Sequence, residues 1–509
     1  MNAESRFGLK LLGTAVALGV ISDLLLRETP WGLNVALLTT VLALVLVGLA
    51  RWGGLPLAGG GRWMLLPVVG FGLCFAWRDS TALKCYDMLA ILVALGLAAW
   101  RTREGQLRIV ACTEVVQGLF FSALNSAFGV VLLVFKDIQW KEFPGSHGSR
   151  NAIAVGRGLL IALPILLVFG GLFMAADAGF EHAVNHLFRF DLETVLSHIF
   201  LIGFFSWTLA GFLRHALETQ QPVVPPLPRD QIFTLGILEI GTVVGLLDLL
   251  FLAFVGMQVG YLFGGKSHLF AISGLTAADY ARRGFFELVA VAALVLPFLL
   301  IADWLLRKES PRIARLFQGL SGALVGLTFA VMCSAVQRLW LYHVGFGLTE
   351  TRFYVAAFMV WLATVFIWFA WTVLRGQRQR FIFGTLISAF ACLGLLHLLN
   401  PDAFIVNANV ARLQHGHTLD AGYVLGLSAD ATPALVAALP QLSHDARTRV
   451  VQTLWQEYPT TTAPAGTPPP LPNDSTAPAG SWPSVRHGDW RTWSWSRAAA
   501  YHALSQPHH

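Results

Sequence analysis

The residue types most able to do chemistry gather in two similar stretches, SGLTAADYARRGFFELVA (Ser273–Ala290) and LYHVGFGLTETRFYVAAF (Leu341–Phe358). Each carries Gly-Leu-Thr, then Tyr and Arg, then an apolar run. Thr276, with Asp279 three residues on, and Thr349 read first as N-caps that turn the chain into a helix. Around these turns stand Tyr280, Arg282, Arg283, Glu287, Arg338, Tyr342, His343, Glu350, Arg352 and Tyr354, which predict a polar collection at one membrane face. Helix N-termini with Arg and Tyr suit a phosphate or carboxylate. Interfacial snorkelling and an aromatic belt account for the same residues without any ligand.

A second group comprises ionisable residues inside apolar runs, where charge is costly and normally faces a bundle interior or aqueous cavity. Glu239, Asp248 and Asp303 are the candidate intramembrane carboxylates. Glu239 and Asp248 lie nine residues apart, on opposite faces of one helix, and cannot form a pair. Asp23 with Arg27 and Asp303 with Arg307 stand at i and i+4 in the similar strings ISDLLLRE and IADWLLRKE, the spacing of an intrahelical ion pair. Asp23 and Glu28 are the one paired-carboxylate candidate for acid–base work. The glycine pairs Gly241/Gly245 and Gly322/Gly326 predict close helix packing.

Metal and nucleotide chemistry find weaker support. In FEHAVNHLF, His182 and His186 project from one helix face beside Glu181. No third ligand is identifiable and the apolar residues between them make an ordinary amphipathic helix, so no metal is assigned. His415, His417 and Asp420 in HGHTLD are weaker still. The string GYLFGGKS (260–267) satisfies a phosphate-loop pattern. It closes an apolar helix instead of linking a strand to a helix, so a nucleotide is excluded there. No catalytic residue and no cofactor is implied.

The elements that position these residues follow from composition. Only 13% of the 509 residues are charged, 55% are apolar and the mean hydropathy is +0.62; ordinary soluble domains carry about 25% charged residues. Such a chain cannot present a wettable surface, which excludes a conventional soluble enzyme, a disordered protein and a secreted disulfide scaffold. The 35 Lys and Arg are dispersed among short connections, as membrane orientation signals are, and nucleic acid is discounted as a partner. The five cysteines form no C-x-x-C pair.

The fold class is all-α, a polytopic transmembrane helical bundle of about eleven or twelve spans with a small helical, partly disordered C-terminal tail. Eleven runs, from 8–26 to 380–398, qualify or nearly do, the third (63–77) being short. A twelfth, 114–135, is broken by Glu114, Gln117, Asn125 and Ser126. If it crossed, the basic stretches flanking it would lie on opposite sides, against the positive-inside rule, so it is read as interfacial or re-entrant. Residues 1–100 form an N-terminal four-helix membrane region, 101–152 a cytoplasmic loop, and 153–399 a seven-helix membrane core. A small helical extramembrane unit follows at 400–458, then a Pro/Thr/Ala linker and Trp-rich terminus at 459–509. The N-terminus is expected in the cytoplasm and the tail outside. The closing DWRTWSWSR (489–497) suits a headgroup-level anchor or docking on the protein's own outer face.

The strings YARRGFFELVAVAALVLP (280–297), FGLTETRFYVAAFMVWLA (346–363) and NPDAFIVNANVARLQHGHTLDAGYVLGLSADATPAL (400–435) resemble two uncharacterised bacterial membrane families, domains of unknown function 4153 and 4173. The resemblance runs from about residue 150 to 440. It implies a multi-pass protein of the bacterial inner membrane and transfers no catalytic residue to any position.

Three functions fit. The favoured one is a non-enzymatic envelope protein binding an anionic lipid or a protein partner at its outer face. The alternatives are a secondary transporter using Glu239, Asp248 and Glu287, and an integral-membrane enzyme acting on a lipid-linked substrate through Asp23 and Glu28.

Overall fold

The computed structural model describes residues 3–53, 61–99, 112–139, 192–217, 235–263, 285–307, 310–458 and 489–505, with isolated positions between 155 and 179. Among the described residues ten helices are long and apolar enough to cross a membrane. The one departure from helix and turn there is an isolated bridge between Leu235 and Leu306. The chain divides into two compact units. The first holds residues 1–107, 113–223 and 487–495, the second residues 108–112, 224–486 and 496–509.

In the first unit α1 (Ala3–Leu26) runs antiparallel to α6 (Leu192–Leu217). Gly19 faces Ile202 and Ser206, and Asp23 faces His198. Next come α2 (Leu33–Trp52), α3 (Leu65–Trp77) and α4 (Thr81–Ala99), each packed on the one before. Leu11, Ala15, Leu18, Leu46, Leu213 and Leu217 fill the core. In lipid such a core is held by van der Waals contact more than by exclusion of water. The 13 residues of α3 reach about 20 Å, short of a hydrocarbon core of about 30 Å.

Helix α5 (Cys112–Leu132) continues through one wider turn, Leu133–Asp137. It is unbroken and long enough to cross, yet it runs alongside no other described helix. Its contacts pass from Gly96 of α4 to Gly211 of α6 and then to Gly8 of α1. At the crossing with α6 a Cβ on Gly211 would stand 2.3 Å from the carbonyl oxygen of Asn125, so only glycine lets the two backbones meet.

The stretch 489–495 also belongs to the first unit, where it covers the connection from α1 to α2. The Trp493 carbonyl accepts from Leu33 N–H at 2.9 Å, and Arg491 Nη1 donates to the Leu24 carbonyl at 2.7 Å. Asn34 secures the same connection, taking Gly32 N–H at 2.7 Å and giving its amide to the Glu28 carbonyl at 3.0 Å.

The second unit holds α7 (Ile237–Phe263), α8 (Phe285–Leu305), α9 (Pro311–Phe346), α10 (Glu350–Thr372) and α11 (Phe381–Leu399). Helix α7 runs through Phe263, so the first four residues of GYLFGGKS are helical. Val244, Leu299, Phe317, Leu324, Phe366 and Phe369 form the core. The glycine pairs do not carry close packing as expected. A Cβ on Gly245, Gly322 or Gly326 would meet nothing within 4 Å, and one on Gly241 would make ordinary contact with Leu320 at 3.7 Å.

Asn400, in the left-handed conformation at φ 49°, stops α11, and Pro401 opens α12 (Pro401–Ala411). Short helices follow: α13 (Ala421–Leu425), α14 (Thr432–Ala438), α15 (His444–Glu457) and α16 (Trp495–Ser505). Ile405, Val406 and Leu435 bury against one another, as do Val450, Val451, Leu454, Ala500 and Leu504. Of the apolar residues at helical spacing here, Leu435, Ala438, Leu439, Val450, Val451 and Leu454 are buried and Ala434 is half-buried.

Candidate functional site

Helix α9 is unusually long. Ser310 caps it by accepting from Ile313 N–H, Pro311 takes the first position, and 36 residues follow. That is about 54 Å, of which a hydrocarbon core takes up about 30 Å. Its final turns bring Arg338, Tyr342 and His343 to the tight turn Gly347–Thr349, after which Glu350 opens α10. Gly347 sits at φ 82°, and a Cβ there would stand 2.6 Å from both Arg412 Nη1 and Asn409 Oδ1. Glycine is therefore required twice, by backbone sign and by crowding.

Three side chains from the residues after α11 grip this turn. Asn409 acts as a strand edge would: its Oδ1 accepts from Leu348 N–H at 2.8 Å and its Nδ2 donates to the Leu348 carbonyl at 2.8 Å. Arg412 Nη2 donates to the carbonyls of Val344 and Gly345, each at 3.0 Å, at the C-terminal end of α9. The Tyr423 hydroxyl accepts from Glu350 N–H at 2.6 Å. Thr349 holds the N-cap position of α10, as its sequence context predicts, but its side chain makes no capping bond; the tyrosine takes an amide that helix starts leave free. Within the hairpin, Arg352 donates to the Gly347 carbonyl and lies 4.0 Å from the centre of the Tyr342 ring, a cation–π distance.

Arg352, Arg412 and His343 thus crowd one turn. Burial, and then the neighbouring Arg352, hold the Arg412 guanidinium below its ordinary pKa. Burial raises the Tyr423 hydroxyl. His343 Nδ1 and Arg412 Nε are buried without hydrogen-bond partners. The carbonyls at the end of α9 offer about half a negative charge, and Glu350 and Asp402 stand near the same turn, but neither guanidinium pairs with a carboxylate among the described residues.

Beside this turn lies a buried acidic pair. Asp402, fully buried in the first turn of α12, accepts through Oδ2 from Ser428 Oγ at 2.5 Å and from Ser428 N–H at 3.3 Å; its Oδ1 has no partner. Ser428 Oγ also lies 3.3 Å from Asp430 Oδ2, and Ser496 donates to Asp430 Oδ1. A hydroxyl has one proton and can serve only one carboxylate at a time. Burial, with Glu350 and Asp430 adding repulsion against the Ser428 bonds, pushes the Asp402 pKa up to about 6.

The structure therefore brings together Tyr342, His343, Glu350 and Arg352 from the sequence-predicted group. Arg338 stands one turn earlier on α9, Tyr354 beside the Phe353 ring on α10, and Glu287 in the first turn of α8. Tyr280, Arg282 and Arg283 lie outside the described residues, as do His182 and His186. Sequence reasoning missed Asn409, Arg412, Tyr423, Asp402 and Ser428. Their signal was available, since all five fall in the string 400–435, but nothing local says which turn they grip.

The intramembrane carboxylates separate into different situations. Glu239 accepts from Gly236 N–H at 2.6 Å and caps α7. Asp303 lies 3.5 Å from Arg378 of the connection between α10 and α11, a partner from outside its own helix. Asp248, midway along α7, has no partner on either oxygen. In the first unit Asp23 pairs with Arg27 at 3.0 Å, as the spacing predicts, and also takes His198 Nδ1 at 2.5 Å. Glu28 pairs separately with Arg491 at 3.4 Å. Asp420 caps α13 by accepting from Tyr423 N–H at 3.0 Å, and His415 Nδ1 lies 3.3 Å from the Ala411 carbonyl.

A multi-helix fold of this length and apolarity, with an attached helical unit gripping one turn, defines a polytopic membrane protein. The chain belongs to the family described as a domain of unknown function (DUF4153), which matches residues 65–438. This is the first of the two families that the quoted strings resemble, and the match begins well before them, within α3. No curated protein and no solved structure matches the chain.

Proposed function

We propose that this multi-pass membrane protein is a non-enzymatic envelope component that binds an anionic group, such as a lipid phosphate, at the turn held by Arg352 and Arg412. The observation that carries the reading is that the two guanidiniums there meet only backbone carbonyls. Neither guanidinium has a carboxylate partner among the described residues, and helix-end carbonyls neutralise them only in part. Tyr342 beneath Arg352 fixes that guanidinium as a flat donor face, the geometry that suits phosphate.

The same reading puts the turn outside the cytoplasm of a bacterium, in its inner membrane. Arg307, Arg375, Arg378 and Arg380 occupy the connections between α8 and α9 and between α10 and α11, and Arg312 and Arg315 the first turns of α9, whereas Gly347–Thr349 carries no basic residue. Positive charge in short loops favours the cytoplasmic side.

Native mass spectrometry of the detergent-purified protein tests the proposal. Wild type is expected to retain anionic phospholipid in preference to zwitterionic, and Arg352→Gln with Arg412→Gln to lose that preference about tenfold, or about 1.4 kcal/mol. Equal retention of both lipid classes by the wild type, or unchanged preference in a folded double variant, refutes it.

One observation favours a second reading, a transporter. Asp248 alone among the expected intramembrane carboxylates lacks a partner on both oxygens, and such a group in lipid is a functional-site candidate. Proton uptake into proteoliposomes that disappears with Asp248→Asn supports it; the same uptake in the variant removes Asp248 from the reading.

A further inference from the structure

The geometry of α5 points to a helix lying in the plane of the membrane at one leaflet, with its apolar face in acyl chains and both ends on the same side. This inference is independent of the anion site.

The first observation is the crossing. Arg214 Nε donates to Asp137 Oδ2 at 2.6 Å, while its chain neighbour His215 places Nε2 3.2 Å from Ser122 Oγ. Asp137 and Ser122 are separated by about 22 Å of helix rise. Two adjacent residues of α6 reach points so far apart only if α5 passes steeply across α6, at Gly129 over Gly211.

The second observation is where α5 meets the bundle. Ser122 Oγ donates to the Gly96 carbonyl at 3.0 Å, near the C-terminal end of α4. Gly211 lies in the last two turns of α6. Ile138 packs on Gly8, and Gln139 N–H donates to Ser5 Oγ at 3.0 Å, in the first turns of α1. Because α1 and α6 are antiparallel, with Asp23 against His198 at the far end, these contacts share one end of the unit. A spanning helix would instead progress from one end of its neighbours to the other.

The occupant of the opposite face follows from its chemistry and its level. Val116, Phe120, Leu124, Phe128, Val131 and Phe135 recur at helical spacing along the whole length of α5, and all are exposed. Phe204 of α6 and Val16 of α1, on helices that α5 touches, are exposed as well. Arg6, Lys10, Arg51, Lys136 and Arg214 occupy the same end, with Lys10 3.2 Å from the centre of the Trp52 ring. Apolar residues below and lysine and arginine at the rim make the pattern of an interfacial helix on anionic lipid.

The experiment uses the full chain, with its five cysteines replaced and single cysteines introduced by Glu114→Cys or Lys136→Cys. A membrane-impermeant maleimide is applied to intact spheroplasts and to inverted vesicles. Both positions are expected to label in the same preparation, at least about tenfold above the other. Labelling from opposite sides overturns the inference. Spin labels at Phe120→Cys and Phe128→Cys supply the second readout, relaxation by oxygen against a water-soluble nickel chelate. Equal, shallow lipid depths are expected. Depths differing by about 12 Å, the rise between the two positions, or strong nickel relaxation at both, as on a face kept for a soluble partner, overturn it.

Discussion

Asp402 offers the sharpest test of how the short helices after α11 are held. A carboxyl displaced from its usual 3.8 to about 6 makes its ionised form about 3 kcal/mol less favourable in the folded protein than in the unfolded chain, at 1.36 kcal/mol per pKa unit. Because the folded-state pKa is raised, the folded protein binds the proton more tightly. Stability is therefore greatest below about pH 4 and falls as pH rises through about 6. Asp402→Asn keeps an oxygen to accept from Ser428 and removes the ionisation. Its new amide stands where Oδ1 has no partner, at a cost of about 1–3 kcal/mol that is independent of pH. Wild type should gain about 2 kcal/mol relative to the variant between pH 7 and pH 4, the remainder arriving below pH 4. Hydrogen exchange across 401–411 and thermal melting in detergent at matched pH both read this difference. Parallel pH profiles for the two proteins would refute the reasoning, because they would mean that Asp402 ionises as freely in the fold as in water.

Four further substitutions probe other contacts. Gly347→Ala should loosen the grip on the turn by about 1–3 kcal/mol from its positive φ alone, with the 2.6 Å approaches to Asn409 and Arg412 adding to it; faster exchange of the Leu348 amide is the readout. Gly211→Ala forces a methyl to 2.3 Å from a backbone oxygen and should lower the melting temperature by an amount equivalent to about 1–3 kcal/mol, whereas Gly245→Ala, with open space around it, should change little. Arg378→Ala removes the contact to the buried Asp303 at 3.5 Å and should lower the melting temperature, part of the loss being recovered on adding Asp303→Asn. Arg491→Ala removes the bond to Leu24 and the pairing with Glu28, so limited proteolysis should cut within 489–505 sooner while the melting temperature holds.

What the sequence made legible is what short range determines. Apolar runs longer than 18 residues predict helices because unpaired amides cannot be left in hydrocarbon. The pairing of Asp23 with Arg27 follows from i, i+4 spacing alone. The Gly-Leu-Thr turn was visible as a turn because glycine and threonine have local reasons to be there. Its partners were not, since Asn409 reaches Leu348 across 61 residues and no periodicity encodes such a distance. The same limit explains the glycines. Gly241/Gly245 and Gly322/Gly326 have the spacing of a packing seam, yet close approaches are made at other glycines, Gly19, Gly211 and Gly347 among them, because a seam depends on which helix arrives opposite. A polar cluster read from one strand of sequence therefore looks like a site awaiting a ligand, when part of it is already used by the chain itself. At this turn the distinction becomes one of charge balance. Asn409 and Tyr423 spend their hydrogen bonds on backbone, whereas Arg352 and Arg412 bring two positive charges that meet carbonyls and pair with no carboxylate among the described residues, and that missing partner is what an anion would supply.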